Sequence, residues 1–261
     1  MRILVSSGFT FLVGIYTAFT YYETLGIPHE TSVSLILTCT FWLSLLIPQL
    51  NQLWKQAFAI TLGCFVLGCS LGISLRLDTP FMRYISLFCY FHFSEFLYIS
   101  FSHGSVKFDS LMLNHGVQYA MAFTMSSLEH FFSPFHFTHC ISSIGFGLSI
   151  TGLFIRASAL LTAGKAFTHL ISTNRLPSHK LVVDGIYGYM RHPGYCGWLI
   201  WVVSSQMLAG NPISCVAFAV VTWYFFQERI EYEESVLFEM FGKEYGQYRQ
   251  KVKFSGVPFI R

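Results

Sequence analysis

The chain has 261 residues, of which 53% are hydrophobic and only 11% are charged, and its mean hydropathy is +0.52. Soluble domains carry roughly 25% charged residues, so this composition excludes an ordinary soluble domain. The sequence predicts an all-α integral membrane protein.

Eight apolar stretches follow one another in chain order, at residues 3–19, 32–50, 56–75, 81–101, 111–131, 137–161, 194–209 and 213–226. Most reach the roughly 20 residues that a transmembrane helix needs, which predicts about eight spans. The last two contain only about 15 residues each and need tilt or local thinning of the bilayer to span it. Gly210-Asn211-Pro212 between them predicts the turn of a short helical hairpin.

Basic residues are concentrated in the second half of the chain. Residues 156–261 contain 11 of the 16 Lys and Arg residues, in the loop at 156–191 and in the tail after Gln227. The positive-inside rule places both regions on the cytosolic side of the membrane. Residues 1–155 are predicted to form transmembrane helices that serve as a scaffold and give access to an apolar substrate. Residues 156–261 are predicted to form the catalytic region, with a cofactor-binding loop, the helical hairpin and a C-terminal helix.

The familiar cofactor and metal motifs are absent from the sequence. All seven cysteines lie in apolar segments with no closely spaced pair near histidines, so neither a disulfide framework nor a zinc site is predicted. The sequence contains no G-x-G-x-x-G turn between a strand and a helix and no G-x-x-x-x-G-K-[ST] loop. No Ser or Cys lies in a nucleophile elbow. A nucleotide-containing cofactor would therefore need a site of another kind.

A few ionisable residues interrupt the apolar stretches. His92 and Glu95, three residues apart, share a helix face, and ionisable residues inside a membrane are functional candidates by default. Because no further motif accompanies them, a buried hydrogen-bonded pair is the favoured interpretation. Glu129 and His130, near the end of a stretch, are interpreted as snorkelling groups.

The loop at residues 166–192 is polar and rich in turn residues, and loops of this length are usually functional or disordered. Pro193 at its end is suited to the first turn of a helix. The free N–H groups and the positive dipole of that helix would point back toward Arg191 and His192, which predicts a site for a carboxylate or phosphate. A simple basic anchor at the membrane surface remains the alternative for this segment.

The tail predicts a helix with charges on its apolar side. At 100° per residue, the apolar side chains of this segment form one stripe along the helix. Arg229 and Glu233 fall within this stripe, while Glu231 and Glu239 lie on the opposite face. One interpretation is an i,i+4 ion pair worth about 0.2–0.5 kcal/mol if exposed. The other is a polar pocket that the tail covers. The stripe comprises Ile230, Val236, Leu237, Met240 and Phe241, and the loop could complete the pocket with His179, Tyr187, His192 and Tyr195.

Several ordered motifs in residues 165–261 resemble one known family. They are His179-x-Leu181-Val182-x-x-Gly185-x-Tyr187, Arg191-His192-Pro193-x-Tyr195-x-Gly197-Trp198, Asn211-Pro212, Phe225-Phe226-x-x-Arg229-x-x-x-Glu233-Glu234, Phe241-Gly242-x-x-Tyr245-x-x-Tyr248 and Pro258-Phe259-Ile260. Together they closely resemble the isoprenylcysteine carboxyl methyltransferase family. Phe108-Asp109-Ser110 and Leu113-Asn114-His115 also look like that family.

The resemblance implies a multi-pass enzyme of the endoplasmic reticulum membrane whose active site faces the cytosol. It would transfer a methyl group from S-adenosylmethionine to the C-terminal prenylcysteine carboxylate of processed CaaX proteins such as small GTPases, with no metal and no nucleic acid. Arg229 would hold the substrate carboxylate, and Arg229 and Glu233 would be the catalytic residues under a cytosolic C-terminal helix. The residues that would contact the methyl donor are His179, Lys180, Leu181, Val182, Tyr187, His192, Pro193, Gly194, Tyr195 and Glu233.

Two departures and three alternatives accompany this resemblance. Val252-Lys253 replaces the family's Val-Pro, and Ser172 stands where an amide side chain is common. A phospholipid N-methyltransferase would share the Arg-His-Pro and Glu-Glu elements. A membrane sterol reductase would resemble the C-terminal pattern but bind a nicotinamide cofactor. A transporter or receptor without catalysis is the third alternative, for which the His92 and Glu95 pair is the best argument.

Overall fold

The computed structural model describes residues 2–21, 33, 36–40, 53–103, 108–113, 116–167 and 180–260. Most of the predicted span at 32–50 lies outside the described residues. So do Asn114, His115, Ser172 and His179.

The described residues form helices joined by loops and three 3₁₀ turns, and no strand is assigned among them. The architecture over these ranges is therefore all-α, as predicted. The α-helices are α1 (Arg2–Tyr21), α2 (Leu53–Ser74), α3 (Pro80–His103), α4 (Val117–Phe132), α5 (His139–Ala163), α6 (Pro193–Ala209), α7 (Pro212–Phe241) and α8 (Lys243–Lys251), and the 3₁₀ turns are Phe108–Leu111, Gly164–Ala166 and Gly185–Gly188.

Two described helical segments are long and apolar enough to cross a membrane, Gln56–Ser74 and His139–Ala166. Ser7–Ala18 is a shorter apolar helix. The count of about eight spans stays a prediction, because length and composition alone single out only these segments within the described ranges.

Two helix boundaries differ from those predicted. The stretch at 111–131 does not begin as a helix, because Met112 (φ 55°) and Gly116 (φ 96°) take left-handed conformations and α4 starts only at Val117. The second arm of the hairpin and the tail helix form one helix, α7, of 30 residues. No Gly or Pro follows Pro212 within α7, so nothing interrupts its hydrogen bonds where the apolar sequence becomes charged.

The contacts group the chain into two compact units. One comprises Met1–Phe146 with Ser205–Ser214, and the other comprises Gly147–Ser204 with Cys215–Arg261. The tip of the hairpin thus belongs to the first unit, although its arms belong mainly to the second. The predicted division at residue 156 concerns function and not contacts, so it stays a prediction.

The tip of the hairpin is held by the end of α4. The Glu129 carboxylate accepts hydrogen bonds from the N–H groups of Ile213 (2.7 Å) and Ser214 (2.6 Å), which are free at the start of α7. His130 Nδ1 donates to the Ala209 carbonyl (2.9 Å) at the end of α6. The interpretation of Glu129 and His130 as snorkelling groups is therefore wrong, since both cap helix ends.

A second set of polar contacts fixes the turn itself. The Asn211 side-chain amide donates to the Ser126 carbonyl (2.9 Å) and lies 3.0 Å from Gln206 Oε1, which also accepts from the Ser126 hydroxyl (2.7 Å). These three side chains are buried. Buried polar groups need such partners, so the turn has little freedom to change its conformation.

His92 is occupied by structural contacts. Its Nδ1 donates to the Leu111 carbonyl (2.9 Å), and its Nε2 lies 3.1 Å from the Tyr119 hydroxyl. His92 and Glu95 are both buried. The hydrogen bonds of His92 tie α3 to the 3₁₀ turn and to α4, which supports the structural interpretation over a transport pathway.

Glu129→Ala is expected to lower the apparent melting temperature in detergent micelles. The variant leaves two N–H groups of α7 without their acceptors, and loss of a helix cap costs about 1–2 kcal/mol. Glu129→Gln retains one carbonyl oxygen and should fall between the parent and the alanine variant. Glu239→Ala, at an exposed position of α7, is the control. Equal losses in the two alanine variants would contradict the capping role.

Candidate active site

Two glycines let α5 and α6 approach each other backbone to backbone. A Cβ atom on Gly197 would lie 2.6 Å from the backbone nitrogen of Arg156, and one on Gly152 would lie 2.7 Å from the Gly197 carbonyl oxygen. Small residues permit this close packing of membrane helices. One turn from Gly152, Arg156 consequently reaches the first turn of α6, where Nη1 donates to the Gly194 carbonyl (3.1 Å).

Arg156 is a buried cation outside the set of predicted site residues. Its guanidinium lies 4.6 Å from the ring centroid of Trp198 and 5.6 Å from that of Phe167, and only 3% of the residue is exposed. A cation over an aromatic face is stabilised most when it is removed from water. One sequence feature could have indicated a role for it: Arg156 is the single Lys, Arg, Asp or Glu in the 25 residues of α5.

The start of α6 is joined to the end of the chain. α6 begins at Pro193, as predicted, and the two residues before it pair with residues 252–260, which we call the C-terminal strap. The N–H groups of Arg191 and His192 donate to the carbonyls of Phe254 (3.0 Å) and Ser255 (2.7 Å). Gly256 (φ 110°) permits this approach, because a Cβ atom there would lie 2.9 Å from the His192 carbonyl oxygen.

Glu234 is a buried acceptor for three basic side chains. Arg191 Nε donates to Oε1 at 2.7 Å, His192 Nε2 lies 3.2 Å from the same oxygen, and Arg249 Nε lies 3.2 Å from Oε2. Arg191 Nη1 also donates to the carbonyls of Val252 and Lys253, both at 2.8 Å. Arg191 therefore anchors the loop before α6 to both α7 and the strap.

Tyr195 joins the two tail charges that the sequence singled out. Its hydroxyl donates to Glu233 Oε2 (2.6 Å) and accepts from Arg229 Nε (2.9 Å). The ring stacks between His192 (centroids 5.6 Å apart) and Phe226 (4.8 Å). Tyr195 thus fixes the positions of Arg229 and Glu233 from the neighbouring helix.

His192 lies between two consecutive carboxylates. Nδ1 is 3.6 Å from Glu233 Oε2, while Nε2 faces Glu234. Burial favours the neutral imidazole, but the hydrogen bonds and charges of the two carboxylates outweigh it and raise the pKa of His192. Burial likewise opposes ionisation of the glutamates. His192 and Tyr195 nevertheless lower the pKa of Glu233, and His192 and Arg191 lower that of Glu234 to about 2.

Tyr187 belongs to the same group of side chains. Burial and the Glu233 charge raise the pKa of its phenol, and the Arg156 charge partly offsets this effect. The Tyr187 carbonyl accepts from the Tyr248 hydroxyl of α8 (2.8 Å).

The structure brings together five of the predicted site residues: Tyr187, His192, Tyr195, Arg229 and Glu233. Pro193 and Gly194 form the first turn of α6 beside them. Lys180 is exposed, Val182 is half-buried, and Leu181 packs against Tyr245, Tyr248 and Val252. His179 lies outside the described residues, so its predicted role is untested.

Helical phasing sorted most of the tail charges correctly. Glu231 and Glu239 are exposed, whereas Arg229 and Glu233 face Tyr195. Phasing did not select Glu234, which lies five residues, or about 140°, from Arg229 and about 20° beyond Phe241 at the edge of the predicted stripe. Glu234 is buried all the same, because Arg191 and Arg249 reach it from outside α7.

The arrangement provides two kinds of charge recognition. The pKa of Glu233 is lowered, which favours its ionised form. Its side chain remains 28% exposed beside Tyr195, which suits a cationic group. Arg229 lies next to the Phe225 ring (5.9 Å) and suits a carboxylate. No group of three or more His, Cys, Asp or Glu side chains in the described ranges could hold a metal ion.

Glu234→Gln is expected to destabilise the protein by about 3 kcal/mol at pH 6, because it removes one member of a buried ion pair. Glu231→Gln, exposed on the same helix, is the control. Thermal unfolding in detergent micelles measures both variants, and equal melting temperatures would contradict the role of Glu234.

The same contacts predict a pH profile. The pKa of Glu234 is lowered from 4.5 to about 2. Its contribution to the free energy of unfolding is therefore complete above pH 4.5 and is lost as the pH falls toward 2. The pKa of His192 is raised, so its contribution is complete below 6.5 and is lost as the pH rises through the folded-state pKa. The melting temperature should therefore be highest between about pH 4.5 and 6.5, and the difference between the parent and Glu234→Gln should shrink below this window.

Comparisons with known proteins agree on one family. Residues 144–239 match the model of the isoprenylcysteine carboxyl methyltransferase (ICMT) family. Protein-S-isoprenylcysteine O-methyltransferase of Tribolium castaneum is 38% identical over 217 residues, covering 78% of this chain and 77% of the relative. Protein-S-isoprenylcysteine O-methyltransferase B of Arabidopsis thaliana is 44% identical over 191 residues, covering 70% and 96%.

The fold agrees as well. The solved structure of the eukaryotic intramembrane Ras methyltransferase ICMT superimposes with a TM-score of 0.81 and 31% identity, covering 99% of this chain and 97% of that one. The chain is accordingly a membrane protein with the same helical fold. It belongs to the isoprenylcysteine carboxyl methyltransferase family.

Proposed function

We propose that this protein transfers a methyl group from S-adenosylmethionine to the C-terminal prenylcysteine carboxylate of processed CaaX proteins, forming a methyl ester. The observation that carries the proposal is the Tyr195 hydroxyl, which bridges Arg229 and Glu233. One side chain thereby fixes a group that binds an anion beside a group that binds a cation. A methyl acceptor that is a carboxylate and a methyl donor that is a cation need such a pair of binding groups.

On the acceptor side, Arg229 would bind the prenylcysteine carboxylate. The guanidinium is held by Tyr195 and flanked by the rings of Tyr195 and Phe225, at 5.7 and 5.9 Å. α7 is apolar up to Phe226, so the isoprenoid chain can lie along that part of the helix while its carboxylate meets Arg229. A strong bidentate contact also stabilises the ground state. Arg229 therefore positions the carboxylate rather than activating it.

On the donor side, Glu233 would face the positive charge of S-adenosylmethionine, which supplies a methyl group on a cationic sulfur. His192 and Tyr195 hold the Glu233 carboxylate in place and keep it ionised. Tyr187, Pro193 and Gly194 would complete the donor site, together with His179, Lys180, Leu181 and Val182 from the loop.

The residues present suit a reaction that needs positioning more than proton transfer. A carboxylate is already ionised at pH 7, so no general base is required for its attack on a methyl group. Fixing nucleophile and electrophile in line can lower the barrier by several kcal/mol. Tyr195 contributes by holding both Arg229 and Glu233 through its hydroxyl.

The proposed setting is the endoplasmic reticulum membrane, with the active site facing the cytosol and small GTPases among the substrates. The basic loop and tail support this orientation through the positive-inside rule. A polar donor would enter from the cytosol, and the prenyl chain from the bilayer. The reaction as proposed uses no metal.

A purified-protein assay with methyl-labelled S-adenosylmethionine tests the proposal. The acceptors are farnesylcysteine and, separately, phosphatidylethanolamine. Alkali-labile methyl ester that forms only with farnesylcysteine is the expected result. Stable N-methyl label on the lipid would instead identify a phospholipid N-methyltransferase, and tight NADPH binding without methyl transfer would identify a reductase.

Arg229→Ala and Glu233→Ala should each abolish transfer while leaving expression nearly unchanged. Tyr195→Phe keeps the stacked ring but removes the bridging hydroxyl, so transfer should fall by about 10- to 100-fold, as for a small displacement of aligned groups. Glu231→Ala is the control, exposed on the same helix. Full activity of Arg229→Ala or Glu233→Ala would mean that the pair is only structural.

A further inference from the structure

The end of the C-terminal strap presents an aromatic ring that the proposed chemistry does not use. Phe259 is 96% exposed and has a φ of 65°. Left-handed conformations are uncommon outside Gly, Asn and Asp, and they persist only where the surrounding structure imposes them. A strained backbone that holds a large apolar ring away from the protein needs an explanation.

The residues on either side of Phe259 are fixed. The Ser255 hydroxyl lies 2.7 Å from the Ile260 carbonyl oxygen and accepts from the Val257 N–H (3.3 Å). Val257 and Ile260 pack with Phe226 of α7 in one buried cluster. The turn at 255–260 is therefore closed on itself and attached to α7, so the Phe259 ring is directed outward by packing rather than by a loose end.

A contact with α7 sets the position of this turn relative to the membrane. Trp223 Nε1 donates to the Pro258 carbonyl (2.8 Å). The apolar stretch of α7 ends at Phe226, and the first charged residues are Glu228 and Arg229. The sequence thus predicts that Trp223 lies in the last turn before the membrane surface, where Trp is enriched. The hydrogen bond to Pro258 holds the segment that carries Phe259 beside Trp223.

Two exposed lysines precede Phe259 in the chain. Lys251 and Lys253 are exposed, and the intervening Val252 is buried. Phe254 is 48% exposed. Lysines near a membrane surface are attracted to anionic lipid headgroups, and the neighbouring aromatic rings fit the boundary between headgroups and acyl chains.

We propose that the C-terminal strap and the end of α8 dock on the lipid bilayer, with the Phe259 ring in the acyl-chain boundary and Lys251 and Lys253 on anionic headgroups. The strap supplies the carbonyls that bind Arg191 and His192. Lipid contact therefore supports the arrangement of residues around Glu234, and the strap is a structural link between the membrane surface and the site.

Photocrosslinking tests the contact independently of enzyme activity. p-Benzoylphenylalanine replaces Phe259 in the full-length protein, which is reconstituted in vesicles of phosphatidylcholine with about one third phosphatidylserine. Tyr232, exposed on α7 nine residues beyond Trp223, is the control position. Labelled acyl chains should crosslink at least 5-fold more at position 259 than at 232. Equal lipid labelling, or crosslinking of 259 to a second copy of the chain, would overturn the proposal.

Methyl transfer in the same vesicles tests the link to the site. Phe259→Ala should lose about 5-fold in activity, whereas Phe259→Trp should retain it. Lys251→Gln with Lys253→Gln should abolish any gain in activity that phosphatidylserine gives the parent. Unchanged activity of Phe259→Ala in vesicles, at a melting temperature equal to that of the parent, would overturn the supporting role of lipid contact.

Discussion

The Glu234 carboxylate binds three basic side chains from two parts of the chain: Arg191 and His192 before α6, and Arg249 of α8. A buried carboxylate without such partners would be strongly disfavoured, and so would the buried guanidinium of Arg191. The hydrogen bonds and ion pairs of Glu234 and Arg191 consequently hold the loop, α7, α8 and the strap in one arrangement. The position of Tyr195 follows, because α6 begins directly after His192.

Consecutive carboxylates divide two tasks between them. Neighbouring residues of a helix point about 100° apart, so Glu234 faces the anchoring arginines while Glu233 faces Tyr195 and the proposed donor site. His192 contacts both carboxylates and so links the position of Glu233 to that of Glu234. The polar interior of the site is thus separated into a fixed part and a part that remains available to a ligand.

Much of this could be predicted from the sequence where local rules suffice. Pro193 at a helix start, the turn at Gly210 and the phasing of Arg229 and Glu233 all depend on short-range chemistry, and the structure agrees with them. Glu234, Arg156 and Glu129 could not be assigned correctly, because their partners lie 43, 38 and 84 residues away. Periodicity describes one helix at a time, whereas these contacts depend on which segments meet in the fold.

Arg156 has a consequence for how the chain enters the membrane during synthesis. The Gly194 carbonyl that accepts a hydrogen bond from Arg156 comes 38 residues later in the chain, so α5 is made before this partner. An arginine in an apolar helix costs about 3 kcal/mol on insertion. The guanidinium must therefore remain near the headgroups or with water until Trp198 and the first turn of α6 cover it. The close approach at Gly152 and Gly197 then makes docking of α6 the step that buries this charge, so insertion of α5 is completed only by a helix made later.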